Sequence, residues 1–198
     1  MDLDSFLCLV LGIPCFLMEM YISKTKYSSS TSTKSPSKDR GTFIFIWLII
    51  ICSQALSISC VRLDYGSKII ANKSFIYFLW ISFNISLYLM GILLRKQSIE
   101  QLGKWFTTVI RTDENQKLID FGWYKKMRHP SYAGLLLYFL ALGLLLNNWL
   151  SLFISIIPIS LVIFYRIHIE EQELKQHFGM KYEEYRQKVP YMIIPKVF

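Results

Sequence analysis

Two short stretches of this sequence carry residue types able to do chemistry. The first is Arg166-Ile167-His168-Ile169-Glu170-Glu171, in which Arg166 and Glu170 stand four residues apart. On a helix that spacing puts them on one face, roughly 6 Å apart. A cation and an anion so placed can form a simple ion pair. Equally, they can hold the two ends of a zwitterion, or a carboxylate and an amine on two ligands. The second stretch is Gly122-Trp123-Tyr124-Lys125-Lys126-Met127-Arg128-His129-Pro130-Ser131-Tyr132-Ala133-Gly134. Pro130 suits the first position of a helix, and the residue before a proline is biased to extended geometry. His129 is thus expected at a helix start, beside free amide groups and the positive end of the helix dipole. Such a turn is either structural or a seat for an anionic ligand group.

The elements that must position these residues are membrane helices. Of the 198 residues, 53% are hydrophobic and only 18% charged, against about a quarter charged in soluble domains. The apolar residues fall in five runs: Leu3 to Ile22, Thr42 to Val61, Phe75 to Leu94, the shorter Tyr132 to Leu146, and Trp149 to about Ile169. About 20 residues of helix cross a bilayer, and a backbone in lipid must satisfy its amides within its own segment. The predicted fold class is therefore all-α, a polytopic membrane protein with five transmembrane helices and short cytoplasmic C-terminal helices.

Basic residues test this reading separately, because short basic loops stay cytoplasmic. No Lys or Arg precedes the first run, five follow it, three lie between the second and third runs, eight lie from Arg95 to Arg128, none sits at Asn147-Asn148, and six lie from Arg166 onward. The alternation places the N-terminus outside or in the lumen and the C-terminus in the cytoplasm. The net charge of +8 is then a topology signal. No basic soluble domain is present, so a nucleic-acid partner is not expected. Cys8, Cys15, Cys52 and Cys60 lie inside the first two runs without CxxC spacing, and read as small buried packing residues rather than metal ligands. No metal is expected.

The chain divides near Arg95. Residues 1–94 comprise three apolar spans and a low-complexity Ser/Thr/Lys connector from Ser28 to Ser37. Residues 95–198 hold nearly all the special residues. Here Ser98 to Ile110, with Leu102, Trp105, Phe106 and Val109 at helical spacing, reads as an interfacial amphipathic helix. The two-residue Asn147-Asn148 link forces the last two spans into a tight antiparallel hairpin, bringing His129 and Tyr132 to the membrane face that holds Arg166 and Glu170. Past the membrane the helix continues to Phe178, Gly179 stops it, and a short helix with Tyr182 and Tyr185 runs to Pro190.

With these blocks in order, the region from about Gln116 to Pro195 resembles the isoprenylcysteine carboxyl methyltransferases. The blocks are Gly122-x-Tyr124, Arg128-His129-Pro130-Ser131-Tyr132-x-Gly134, Arg166-x-x-x-Glu170-Glu171-x-x-Leu174, Phe178-Gly179-x-x-Tyr182-x-x-Tyr185 and Val189-Pro190. The wider group includes the phospholipid methyltransferases. The resemblance implies a membrane enzyme that moves a methyl group from S-adenosylmethionine, leaving S-adenosylhomocysteine, to the C-terminal carboxylate of a prenylated cysteine. It further implies that Gln116, Lys117, Leu118, Ile119, Tyr124, His129, Pro130, Ser131 and Tyr132 line the cofactor pocket, that Glu170 binds the cofactor as well, and that Arg166 binds the acceptor. Gln116 stands where animal members carry a histidine, and His168-Ile169 replace the first two acids of their longer Glu run. Among rival readings, a phospholipid N-methyltransferase would need a base for its protonated amine, with Glu171 or His168 as candidates. A transporter would be expected to show repeats and helices broken at midplane. No repeat is visible, and Pro158 reads as a simple kink.

Overall fold

The computed structural model describes residues 3–30, 42–70, 75–107 and 115–196. Its elements are α1 (Leu3–Ser30), α2 (Thr42–Arg62), α3 (Phe75–Leu102), α4 (Pro130–Leu145), α5 (Trp149–Phe178) and α6 (Met180–Lys188), with single 3-10 turns at Gly103–Trp105 and Gly122–Lys125. Regular structure in the described residues is helical apart from one isolated bridge between Lys68 and Asn148. The protein is an all-α polytopic membrane protein. Four helices, α1, α2, α3 and α5, are long and apolar enough to cross a bilayer, whereas α4 has only 16 residues. Among the described residues, four of the five expected spans reach that length, and the fourth, the shorter run of the sequence, does not. Outward-facing Phe, Leu and Ile side chains on α1, α2, α3 and α5 suit contact with lipid.

Two expected boundaries move. The amphipathic segment from Ser98 is not a separate helix: Ser98 to Leu102 is the last part of α3, which runs straight through Arg95-Lys96-Gln97. Polar residues end an apolar run without ending a helix, since Arg, Lys and Gln are good helix formers. Val109 and Ile110 lie outside the described residues. The first three serines of the Ser28–Ser37 connector are likewise the last turn of α1, and residues 31–37 lie outside the described residues. Cys8, Cys15 and Cys60 are buried, but Cys52 faces outward.

The α4–α5 hairpin forms as the two asparagines require. Asn147 adopts φ +49°, a left-handed conformation that Asn tolerates. Asn148 caps α5 by accepting a hydrogen bond from the Ser151 amide at 3.0 Å. The loop between α2 and α3 docks on this turn, with the Ile70 amide donating to Asn147 Oδ1 at 2.8 Å and the Trp149 amide to the Ser67 carbonyl at 3.1 Å. These two loops therefore share one end of the bundle, as the basic-residue alternation requires. The His129 turn lies at the other. Helix α5 is continuous through Pro158.

At that other end α3 and α4 meet backbone to backbone. A Cβ on Gly91 would come within 2.7 Å of the Tyr138 amide, and one on Gly134 within 2.6 Å of the Arg95 amide. Small residues allow such contact, which supplies the packing that lipid cannot. The approach carries Arg95 to the first turn of α4, where its Nη1 donates to Ser131 Oγ at 2.8 Å and to the Ser131 carbonyl at 3.1 Å. The other edge of the guanidinium takes Glu19 of α1 in a two-pronged ion pair, with Nη2 to Oε2 at 2.7 Å. Tyr138 donates to the same carboxylate at 3.2 Å. Arg95 and Glu19 are 7% and 6% exposed, so each charge depends on the other.

Gly134→Ala should force α3 and α4 apart and cost about 1–3 kcal/mol or more, read as a lower thermal midpoint in detergent. Glu19→Ala should cost about 3–5 kcal/mol by stranding Arg95. The pair Glu19→Ala/Arg95→Met should be less damaging than Glu19→Ala alone. Equal midpoints for the single and double variants would remove the ion pair from this role.

Candidate functional site

The site begins at the His129–Pro130 turn. His129 precedes α4 with φ −124° and ψ 57°, and Pro130 takes the first helical position, where its missing N–H is no loss. The turn is held from three sides. The Arg128 and His129 amides donate to the Tyr191 and Met192 carbonyls at 2.9 and 2.8 Å. The buried Arg128 guanidinium donates to the Val189 and Pro190 carbonyls at 2.8 and 2.6 Å, and to Glu171 Oε1 at 2.6 Å. His129 Nε2 lies 3.2 Å from the same carboxylate oxygen. Glu171 is thereby committed to the turn.

One turn along α4, the Tyr132 hydroxyl donates to Glu170 Oε2 at 2.8 Å and accepts from Arg166 Nε at 2.9 Å. The cation and the anion expected on one face of α5 are thus joined through a phenol from α4. A third layer comes from α6, where Tyr182, Tyr185 and Val189 pack with Leu118, Leu174 and Phe178. Gly179 ends α5 at φ +54°, which a glycine adopts without penalty. Tyr185 donates to the Tyr124 carbonyl at 2.7 Å. Gly122 has φ +62°, and a Cβ there would meet Gln101 at 2.5 Å; Gln101 Oε1 accepts from the Trp123 amide at 2.9 Å. The loop carrying Tyr124 is thereby fixed to the end of α3. Burial pushes the Tyr124, Tyr182 and Tyr185 phenols above the ordinary tyrosine range, so each stays neutral.

These elements enclose one continuous cavity of about 400 Å³. Gln116, Lys117, Leu118, Ile119, Tyr124, His129, Ser131, Tyr132, Arg166 and Glu170 all line it, while Pro130 shapes the turn without lining it. The cavity has two characters. Its polar end lies among Tyr124, His129, Glu170, Glu173 and α6. Its other end runs between α1, α2, α4 and α5 past Gly12, Ile50, Leu135, Phe139 and Ile163, and is almost wholly apolar. The linked Arg166, Tyr132 and Glu170 stand where the two ends meet.

Sequence reasoning missed several wall residues. Glu19 and Arg95 line the cavity from α1 and α3. Their opposite charges at the ends of the first and third apolar runs, on one face by the alternation, were the available signal. Glu173 lies one turn after Glu170. Gln54 had a simple signal, an amide inside an apolar run. Tyr182 lines the cavity, is 1% exposed, and its hydroxyl has no hydrogen-bond partner among the described residues.

Several known proteins resemble this chain. A profile described as the isoprenylcysteine carboxyl methyltransferase (ICMT) family matches residues 80–176. The protein-S-isoprenylcysteine O-methyltransferase B of Arabidopsis thaliana is 36% identical over 146 residues, covering 72% of this chain and 74% of the relative. The protein-S-isoprenylcysteine O-methyltransferase of Schizosaccharomyces pombe is 29% identical over 189 residues, covering 88% and 76%. The solved eukaryotic intramembrane Ras methyltransferase ICMT superposes with a TM-score of 0.56 at 22% identity over 79% of this chain, and the chain spans about half of that protein's length, 51%. The relatives' identity and coverage, together with the ordered blocks from Gly122 to Pro190, establish that this chain belongs to the isoprenylcysteine carboxyl methyltransferase family.

Proposed function

We propose that the protein transfers a methyl group from S-adenosylmethionine to the C-terminal carboxylate of a prenylated cysteine. The observation that carries this reading is the Arg166–Tyr132–Glu170 link, set where a polar chamber opens into an apolar channel. A polar methyl donor and a lipid-tailed carboxylate need those two environments side by side. The polar end fits the donor on its own terms. Glu170 and Glu173 suit an amino group, Tyr124 offers an aromatic wall, and the buried Tyr182 hydroxyl, without a partner among the described residues, can take one from a ligand.

S-adenosylmethionine, when bound, supplies a methyl group on a positively charged sulfur. The chain's own task is to hold a carboxylate in line with it and exclude water. Arg166 is suited to the carboxylate by its planar fork of donors. Tyr132, bonded to both Arg166 and Glu170, fixes the two side chains relative to each other. The acceptor is already ionised at neutral pH, so no base is required. Alignment of this kind contributes roughly 7–11 kcal/mol in favourable cases. The apolar walls keep the site dry, which strengthens each of these contacts.

The phospholipid N-methyltransferase alternative is weakened by the fate of its two candidate bases. Glu171 is bonded to Arg128 and lies beside His129, and His168 faces outward with its ring nitrogen 2.9 Å from Gln172 Nε2. Neither lines the cavity. The transporter alternative finds no support in α5, which is unbroken. In this reading the site end of the bundle faces the cytoplasm, as the distribution of basic residues supports, with the N-terminus outside or in the lumen. The donor enters from the cytosol and the acceptor's tail from the surrounding bilayer lipids.

Radiolabelled S-adenosylmethionine, offered with a farnesylated cysteine analogue or with phosphatidylethanolamine, should label only the former. Label on phosphatidylethanolamine alone would overturn the carboxylate assignment. S-adenosylhomocysteine should bind the detergent-purified protein saturably. Arg166→Lys should lower kcat roughly a hundredfold while leaving that binding nearly unchanged. Tyr132→Phe should lower kcat/KM and weaken S-adenosylhomocysteine binding together, by about 1–3 kcal/mol, because one hydroxyl serves both partners. Normal turnover by either variant would dismiss the proposed clamp.

A further inference from the structure

The lipid-facing stripe of α3 leads into a basic corner. Leu89, Met90 and Leu93 face outward, and at helical spacing the same face continues through Lys96, Gln97 and Glu100, all exposed. Phe75, where α3 begins, precedes Arg95 by twenty residues, about 30 Å of helix and the thickness of the hydrocarbon core. Lys96 and Gln97 therefore stand in the headgroup layer, directly above lipid tails.

The Gly122–Lys125 turn docks at this height. Trp123 donates from its indole to Gln97 Oε1 at 2.8 Å and from its amide to Gln101 Oε1 at 2.9 Å. Lys126 Nζ lies 4.6 Å from the centre of the Trp123 ring. Lys125 is exposed beside it, and Phe121, just before the turn, faces outward too. Three lysines, a tryptophan and an outward phenylalanine are the mixture that suits a membrane–water boundary. On the α5–α6 side, Lys175 pairs with Glu183 at 2.6 Å and Arg186 with the same carboxylate at 3.2 Å. At the Trp123 corner, Lys125 and Lys126 have no carboxylate partner among the described residues. Lys96 has a 3.9 Å contact with exposed Glu100, which is worth little. Topology asks only that lysines lie on the cytoplasmic side. It does not require them to gather, without carboxylate partners, around one tryptophan at headgroup depth.

The same turn carries Tyr124 inward, where it lines the polar chamber and donates to the Ser98 carbonyl at 3.3 Å. An anion held on the outside of this turn therefore steadies a wall of the chamber.

We propose that Lys96, Lys125 and Lys126 form a site for the headgroup of phosphatidylserine in the cytoplasmic leaflet, and that its occupation tightens donor binding in the polar chamber. The headgroup site stands on this surface alone, whereas the coupling rests on the methyltransferase reading above. Attraction to an anionic leaflet amounts to roughly fivefold in binding per lysine.

The test places the full chain in nanodiscs of phosphatidylcholine alone, or of phosphatidylcholine and phosphatidylserine at four to one, with S-adenosylhomocysteine as the probe. The amino and carboxylate charges of that probe cancel, so a charged bilayer does not concentrate it. Its Kd should fall about fivefold when phosphatidylserine is present. Lys125→Gln/Lys126→Gln should lose this gain while binding the probe in phosphatidylcholine as the wild type does, and Lys125→Arg/Lys126→Arg should keep it. Spin-labelled phosphatidylserine should be held at the wild-type surface in preference to spin-labelled phosphatidylcholine, and not by the Gln variant. Equal probe affinity in the two bilayers, or a gain that survives in the Gln variant, overturns the coupling. Absence of any lipid preference overturns the headgroup site. Free phosphoserine added to phosphatidylcholine nanodiscs should have no effect; if it reproduces the gain, the occupant is a soluble anion and the lipid assignment falls. No probe binding in either bilayer sinks the methyltransferase reading and the coupling with it, and the spin-label comparison still decides the headgroup site.

Discussion

The close crossing of α3 and α4 at Gly91 and Gly134 is the constraint on which the remainder of the site depends. With no side chain at either position, Arg95 reaches the first turn of α4, and through Ser131 it fixes the helix on which Tyr132 stands. Tyr132 in turn joins Arg166 and Glu170. One chain of contacts therefore runs from Glu19 in α1 to the last long helix, crossing four helices by way of a single buried ion pair. Buried pairs are weak evidence for stability, because desolvation offsets their attraction. Their better-attested use is to fix one arrangement among several. Here the arrangement fixed is the angle at which α4 presents a phenol to α5.

The second organising feature is the change in polarity along the cavity. The polar chamber is built from α6, the 3-10 turn at Gly122–Lys125 and the exposed end of α5, and the apolar channel from α1, α2, α4 and the inner part of α5. The division drawn in the sequence near Arg95 does not coincide with this boundary. Residues 1–94 supply Gly12, Glu19 and Ile50 to the cavity wall, so the channel draws on both parts of the chain.

Much of the helical layout was legible because hydropathy and helix chemistry are local. The ends of α2, the Asn147-Asn148 hairpin, the Gly179 stop and α6 all follow from residues acting on their immediate neighbours. So does the meeting of His129 and Tyr132 with Arg166 and Glu170, which the tight hairpin sets on one face; the resemblance to the family, and no local rule, pointed to Gln116–Ile119 and Tyr124. What escaped is non-local or silent in residue type. Helix α3 outlasted its apolar run because Arg95-Lys96-Gln97 are helix formers as well as loop residues. Glu19 and Arg95, far apart in sequence, each looked like the margin of a span. The pairing of Arg128 and His129 with Tyr191 and Met192 is made by backbone groups, which every residue possesses and no pattern reveals.

That backbone pairing bears on how the protein is made. The His129 turn is completed by carbonyls from residues 189 to 192, and its arginine by the same segment. Synthesis runs from the N-terminus, so all of α1 to α5 is made before residues 189 to 192. The turn that opens α4 therefore waits for its backbone partners until the chain beyond α6 exists. The pocket is closed from one side by a segment younger than every helix it joins.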